Sequence, residues 1–223
     1  MENFIKHKSL VEQIVQGMEK KILDGAFQPG ERIIESAICE SLGVSRSPVR
    51  EAFRILESEG FITSEARKGI SVALITTEEI KDIYLIRANI EALAVSLAVE
   101  KQNPAVLEKM KKLHEQMVRV AENNNIKAYF SANLKFHEAL IGACENRRLI
   151  QLINTFVKQT MRYRLEVLSL PGWIDSSVEA HRAIIESFEA GDAEEAGLLR
   201  KNTILSHMER LLQNIKEREE NQV

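Results

Sequence analysis

From Thr76 to its end, the sequence contains almost nothing that would stop a helix. Gly142, Gly172, Gly191, Gly197, Pro104 and Pro171 are the only glycines and prolines there, whereas the other six glycines crowd between Gly17 and Gly69. This distribution predicts a mostly α chain in two parts: a frequently turned domain over 1–75 and an all-helical domain over 76–223. Aromatic residues make up only 5% of the chain, and with so few breakers a β-sandwich or barrel is excluded.

In the first part, Val11, Ile14, Val15, Met18 and Ile22 recur at helical spacing up to Asp24-Gly25, and Gln28-Pro29-Gly30 reads as a turn. A short helix follows from about Glu35 to Leu42, poorly capped by Ile34 and stopped by Gly43. Ser47 suits the N-cap and Pro48 the first position of a helix that runs to about Glu59, with Gly60 as its stop. Phe61-Ile62-Thr63 and Ile70-Ser71-Val72 then predict a small β-hairpin around Arg67-Lys68-Gly69.

In the second part, Thr76-x-x-Glu79 is a capping box leading into Ile80–Glu100. Further helices are predicted from Asn103-Pro104 to Asn123-Asn124, from Ile126 to Cys144, and from Arg147 to Leu168. A fifth opens at Ser176-x-x-Glu179 and ends at Gly191, and a sixth opens at Asp192-x-x-Glu195 and runs to about Arg218. Their short links predict an antiparallel all-helical bundle.

Two short helices separated by Leu42-Gly43-Val44 form a helix-turn-helix candidate, with Leu42 and Val44 expected to pack inward. Its second helix stacks Arg46, Arg50 and Arg54 on one face. A guanidinium fork fits guanine edges or phosphates, and Arg46 and Arg50 stand at the helix start, which enters the major groove. Ser45 and Ser47 are placed to contact phosphate. Bulk charge argues the other way: residues 1–75 hold 10 Lys+Arg against 11 Asp+Glu, and the whole chain carries −3, as expected of a merely solvated basic face.

The stretch SLGVSRSPVREAFRILESEGFI, within residues 28–72, resembles the winged helix of the GntR family of bacterial regulators. The resemblance implies that Arg46 and Arg50 read bases of a double-stranded DNA operator and that the Lys68-Gly69 wing tip contacts the minor groove; the hairpin tip of Arg67, Lys68 and Gly69 is placed to lie against a neighbouring groove. Two departures stand out. Ile34-Glu35-Ser36-Ala37 replaces the family's frequent Ser-Glu-Arg-Glu, and Lys68 replaces a frequent arginine.

The pieces IYLIRANIEALAVSLA, NLKFHEALIGACENRRL and VEAHRAIIESFEAGDAEEA resemble the FCD domain of the FadR subfamily. That likeness implies a homodimer whose bundle encloses a pocket for a small-molecule effector, commonly an organic acid. Asn133 and His137 share one helix face, and His181, ten residues before Gly191, faces the region of Lys201 to Thr203 on the next helix. Histidines so placed can share a divalent metal such as zinc, nickel or manganese. The family pattern is altered here: Asn133 stands for its aspartate and Thr203 for its last histidine, while His207 lies one turn further on. A metal-free polar pocket therefore stands beside the metal reading.

Arg87 lies among Ile83, Ile86 and Ile90, and either pairs with Glu91 or clamps a ligand carboxylate. Arg162 and Arg164 are weaker candidates, expected on a solvated face; His114 is expected to be exposed, and Trp173 to cover a helix junction. A metalloenzyme using His137 and His181 is the main competing class, but there is no H-E-x-x-H, Gly-rich phosphate loop or G-x-S-x-G. A protein-interaction bundle is another, opposed by the three arginines. Cys39 and Cys144 lie far apart, no signal peptide is visible, and the longest apolar run, Ala92 to Val99, is broken by Ser96. The expectation is a reduced, cytoplasmic protein with no membrane segment.

Overall fold

The computed structural model describes residues 8–65, 69–123 and 125–221, apart from the side chains of Arg162, Leu165 and Glu219. The chain divides into two compact units, Met1–Ile75 and Thr76–Val223.

The first unit opens with α1 (Leu10–Leu23), whose Ser9 and Glu12 form a reciprocal capping box. After β1 (Arg32–Ile33) come α2 (Glu35–Leu42), α3 (Arg46–Ser58), β2 (Ile62–Glu65) and β3 (Gly69–Val72). The three strands pair antiparallel in the order β1-β3-β2, with Thr63 and Arg32 both opposite Ser71. The expected hairpin thus gains a third strand. At two residues β1 is too short to show alternation, and Gly30 N–H to Val72 O and Val72 N–H to Glu31 O hold it in place. Ile14, Met18, Ile38, Val49, Phe53, Leu56, Ile62 and Val72 form the core.

Gly43 ends α2 in the left-handed region at φ 64°, which a side chain would strain. Val44 packs on the core as expected, but Leu42 is 46% exposed. Helix α3 begins earlier than predicted, with Ser45 as N-cap and Ser47 and Pro48 inside its first turn. Proline is tolerated there because the first four helical N–H groups have no partner in the helix.

Among the described residues, the second unit has seven helices: α4 (Thr77–Glu100), α5 (Pro104–Glu122), α6 (Ile126–Gly142), α7 (Arg147–Gln159), α8 (Met161–Leu168), α9 (Trp173–Ala190) and α10 (Ala193–Glu220). The Thr76/Glu79 capping box and Pro104 at the start of α5 are as read from the sequence. The bundle is built on α4 against α10 and α5 against α6, around Val95, Met117, Tyr129, Phe136, Leu140 and Phe188.

Two helix boundaries differ from expectation. The helix predicted over Arg147–Leu168 breaks at Thr160, whose hydroxyl donates to Phe156 O and accepts from Arg87 Nη1 at 2.7 Å. Helix α9 starts at Trp173 after a left-handed Gly172, so Ser176 lies within it and caps nothing.

Close approach between α4 and α10 depends on Gly197. A Cβ there would collide with Ser96 Oγ and lie 3.2 Å from Ala92 O, while Ser96 Oγ donates to Ala193 O at 2.7 Å. Gly197→Ala is expected to destabilise the bundle by about 1–3 kcal/mol, measured by denaturant unfolding.

Candidate functional site

The arginine face of α3 is open. Ser45, Arg46, Ser47, Arg50 and Arg54 are all exposed, and Ser45 makes no capping bond with its side chain. Buried Val49, Ala52, Phe53 and Leu56 anchor the opposite face, which turns the arginines outward at intervals of four. Arg50 Nε donates to Glu35 Oε2 at 2.9 Å, and Arg46 Nε lies 3.9 Å from the same carboxylate. The hydrogen bond to Glu35 raises the Arg50 pKa. Because both partners reach solvent, this pair is easily exchanged for a phosphate or a base edge.

At the wing, Arg67 and Lys68 lie outside the described residues. Gly69 has φ 89°, and the Arg32 guanidinium sits 3.4 Å from where its Cβ would be. Arg32 is therefore a basic residue at the wing that the sequence reading missed. Its signal was slight, since it belongs to the two-residue strand β1.

In the second unit, α4, α6, α8, α9 and α10 converge on a polar chamber lined by Tyr84, Arg87, Asn133, His137, Arg164, Ser177, His181, Arg200, Thr203 and His207. All the candidates read from the second part meet here except Arg162, whose side chain lies outside the described residues. Arg87, Glu91, Arg164 and Arg200 are 2%, 1%, 5% and 3% exposed. Arg87 pairs with Glu91 through Nε at 2.9 Å and Nη2 at 2.8 Å. Arg200 grips the other Glu91 oxygen, with Nε at 2.9 Å and Nη2 closer still. Burial alone would raise the Glu91 carboxyl, but Arg200 and Arg87 overcome this and hold it down to about 2.

Arg164 corrects the expectation of a solvated face. Its Nη2 donates to Asn133 Oδ1 at 2.9 Å, and burial, with Arg87 and Arg200 near, pushes it down to about 9, so it stays charged at neutral pH. Sequence reasoning also missed Arg200 and the second role of Glu91. The available signal was the helix-pairing estimate, which landed one residue beyond Arg200. His114 is half-buried rather than exposed, its Nε2 bonded to Val178 O. Trp173 stands edge-on to His207 at 5.3 Å, tying the start of α9 to α10.

The imidazoles are held neutral. Burial, aided by Arg200, lowers His137 well below its ordinary value; it takes His181 down to about 3, and His207 likewise. His181 Nδ1 donates to Ser177 O, so its Nε2 accepts from Asn133 Nδ2 at 3.2 Å. Arg200 Nη1 lies 3.3 Å and His181 Nε2 3.1 Å from His137 Nε2, while His137 Nδ1 is a buried atom with no partner.

These donors do not fit the divalent metal that the resemblance implied. The Nε2 atoms of His137 and His181 lie 3.1 Å apart and face each other, with Asn133 Nδ2 and Arg200 Nη1 already against them. Asn133 Oδ1 is taken by Arg164, Thr203 Oγ1 donates to Leu199 O, and the buried carboxylate is taken by two arginines. Among the described residues, no group of three or more His, Cys, Asp or Glu could hold a metal ion. Three guanidiniums would also repel a dication.

Residues 10–72 match the family described as bacterial regulatory proteins, gntR family, and residues 82–219 match the FCD domain. The chain belongs to the GntR family. Its FCD domain holds the arginine-lined chamber, and its GntR domain carries the exposed face of α3. The uncharacterized HTH-type transcriptional regulator YdhC of Bacillus subtilis is 32% identical, covering 92% of this chain and 90% of YdhC. The HTH-type transcriptional repressor GlaR of Escherichia coli is 27% identical, over 85% of this chain and 90% of GlaR. Among solved structures, E. coli McbR/YncC shares the fold with a TM-score of 0.79 at 23% identity, covering 94% of this chain and all of that one. This GntR-family chain is a DNA-binding transcription regulator with an effector-binding FCD domain, and not an enzyme. No helix among its described residues is long and apolar enough to cross a membrane.

Proposed function

We propose that this regulator binds a short palindromic operator as a homodimer in the cytoplasm, and that an organic acid held in its FCD domain switches it. Arg46 and Arg50 read base edges in the major groove. Arg54, Ser45 and Ser47 meet phosphates, and Arg67, Lys68 and Gly69 reach the minor groove. The all-helical FCD domain supports a place in the FadR subfamily. Exposed Leu85, Ile86 and Leu93 on α4 support the homodimer, since a row of bare apolar side chains on one helix is costly unless a partner covers it.

One observation carries the effector reading. Three buried guanidiniums, Arg87, Arg164 and Arg200, face a single buried carboxylate, Glu91. Buried charge is costly unless paired, and an anionic ligand supplies the missing partner. We read the chamber of Asn133, His137, His181, Thr203 and His207 as an anion site in which arginine supplies the positive charge of the metal. Helix α4 begins at Thr77, five residues after the wing strand ends at Val72, and carries Arg87 and Glu91. A ligand that redistributes the Arg–Glu pairs thus acts on the helix that follows the DNA-binding domain along the chain.

The test starts from an operator selected out of a random duplex pool. Arg50→Ala is expected to weaken binding to it by roughly ten- to a hundredfold and to relax base preference at one position per half-site, read by titration at fixed salt. Unchanged affinity would remove Arg50 from the interface.

A further inference from the structure

The polar chamber itself has about 10 Å³ free, room for little more than one water, so an acid can meet its arginines only from beside it. However, His137, Arg164 and Arg200 also line a second cavity of about 490 Å³, the size of a ligand site. Its inner end is formed by those three residues and Glu91, all buried. Exposed Glu138 and Asn154 mark its solvent side. The wall between is Leu134, Ile141, Ile150, Ile153, Val157 and Met161. The space is therefore charged at one end and apolar along its length.

We propose that this cavity takes an amphipathic monocarboxylic acid, with its carboxylate at Arg164, Arg200 and His137 and its hydrocarbon body along Ile141, Ile150, Ile153 and Val157. The proposal deepens the anion reading above and rests on it. Arg164 and Arg200 supply the charge, and His137 Nδ1, buried and without a partner, leaves a further polar atom unpaired at that end. A second carboxylate on the ligand would lie among isoleucines with nothing to pair it, and the hydroxyls of a sugar acid would lose their hydrogen bonds to water against the same wall. The apolar wall thus selects against polyacids and polyols, while the arginines select against neutral lipids and alcohols.

The test is calorimetric titration of the full chain with butanoate, hexanoate, octanoate, gluconate and octan-1-ol. Each added methylene is expected to tighten Kd about fourfold, so octanoate binds over a hundredfold tighter than butanoate. Gluconate should bind far more weakly than hexanoate of equal carbon number, and octan-1-ol more weakly than octanoate. Gly142 lines the cavity, and a Cβ there meets nothing within 4 Å, so Gly142→Leu is a variant that adds apolar volume at its rim. That variant should retain butanoate and lose the gain with chain length, and its melting curve reports whether it is folded. Acids that bind with no dependence on length would overturn the amphipathic ligand and leave the anion site standing. Octan-1-ol binding as tightly as octanoate would overturn both, as would failure of every acid to bind the wild-type chain.

Discussion

Replacing Glu91 with alanine is expected to cost about 3–5 kcal/mol of folding stability at neutral pH. Glu91 is the buried carboxylate that Arg87 and Arg200 share, and Arg164 lies close enough to add its field. Without it, three guanidiniums remain buried with no anion. Urea unfolding of the variant should show the loss, and acetate should restore part of it by occupying the vacated position, because an anion that binds only the folded state stabilises it. A general salt effect of equal size with chloride would argue against a specific site. The same residue sets an acid limit. The folded pKa of Glu91 lies below its ordinary 4.5, at about 2. Its contribution is therefore complete above about pH 4.5 and disappears as pH falls from there towards 2. In Glu91→Gln this segment of the pH–stability curve should be shallower, with Glu79 and Glu145, also held below the ordinary carboxylate value, leaving their own smaller slope.

Phe136→Ala should cost a comparable amount, about 3–5 kcal/mol. Phe136 is fully buried in the FCD core, and its ring stands edge-on to His181 at 4.6 Å and to His137 at 5.6 Å. Its loss opens a cavity and also frees the two imidazoles that flank the anion site. The variant should therefore show both a lower unfolding free energy and weaker binding of octanoate. Phe136→Leu, which retains most of the volume, should recover much of the stability. If Phe136→Ala unfolded like the wild type, the packing around the chamber would be other than described.

Local chemistry made much of the fold readable. The Thr76/Glu79 capping box, Asn103-Pro104, Gly43 and Gly191 each act within a few residues of themselves, and each marks a helix end in the structure. The break at Thr160 could not be read that way, because no glycine or proline makes it. Arg87, 73 residues earlier, grips the Thr160 hydroxyl, and only the packing of α4 on α7 brings the two together. Arg164 was misread for a related reason. An arginine on a helix is usually solvated, and burial becomes tolerable here only through Asn133 and Glu91, which belong to other helices. His137, His181 and Asn133 were found because spacing of four and helix pairing are simple geometry. Arg200 as the neighbour of His137 was not, since one residue along α10 separates it from the position that the geometry indicated.

The most direct measurement is the operator affinity of the wild-type chain with and without saturating octanoate, repeated with Arg164→Met. Occupancy of the cavity that ends on Arg164 and Arg200 should change the wild-type operator Kd by about five- to a hundredfold, and operator should change the octanoate Kd by the same factor. Arg164→Met should bind the operator normally and ignore the acid. Octanoate that binds the wild-type chain tightly while leaving its operator Kd unchanged would contradict an effector role for this cavity.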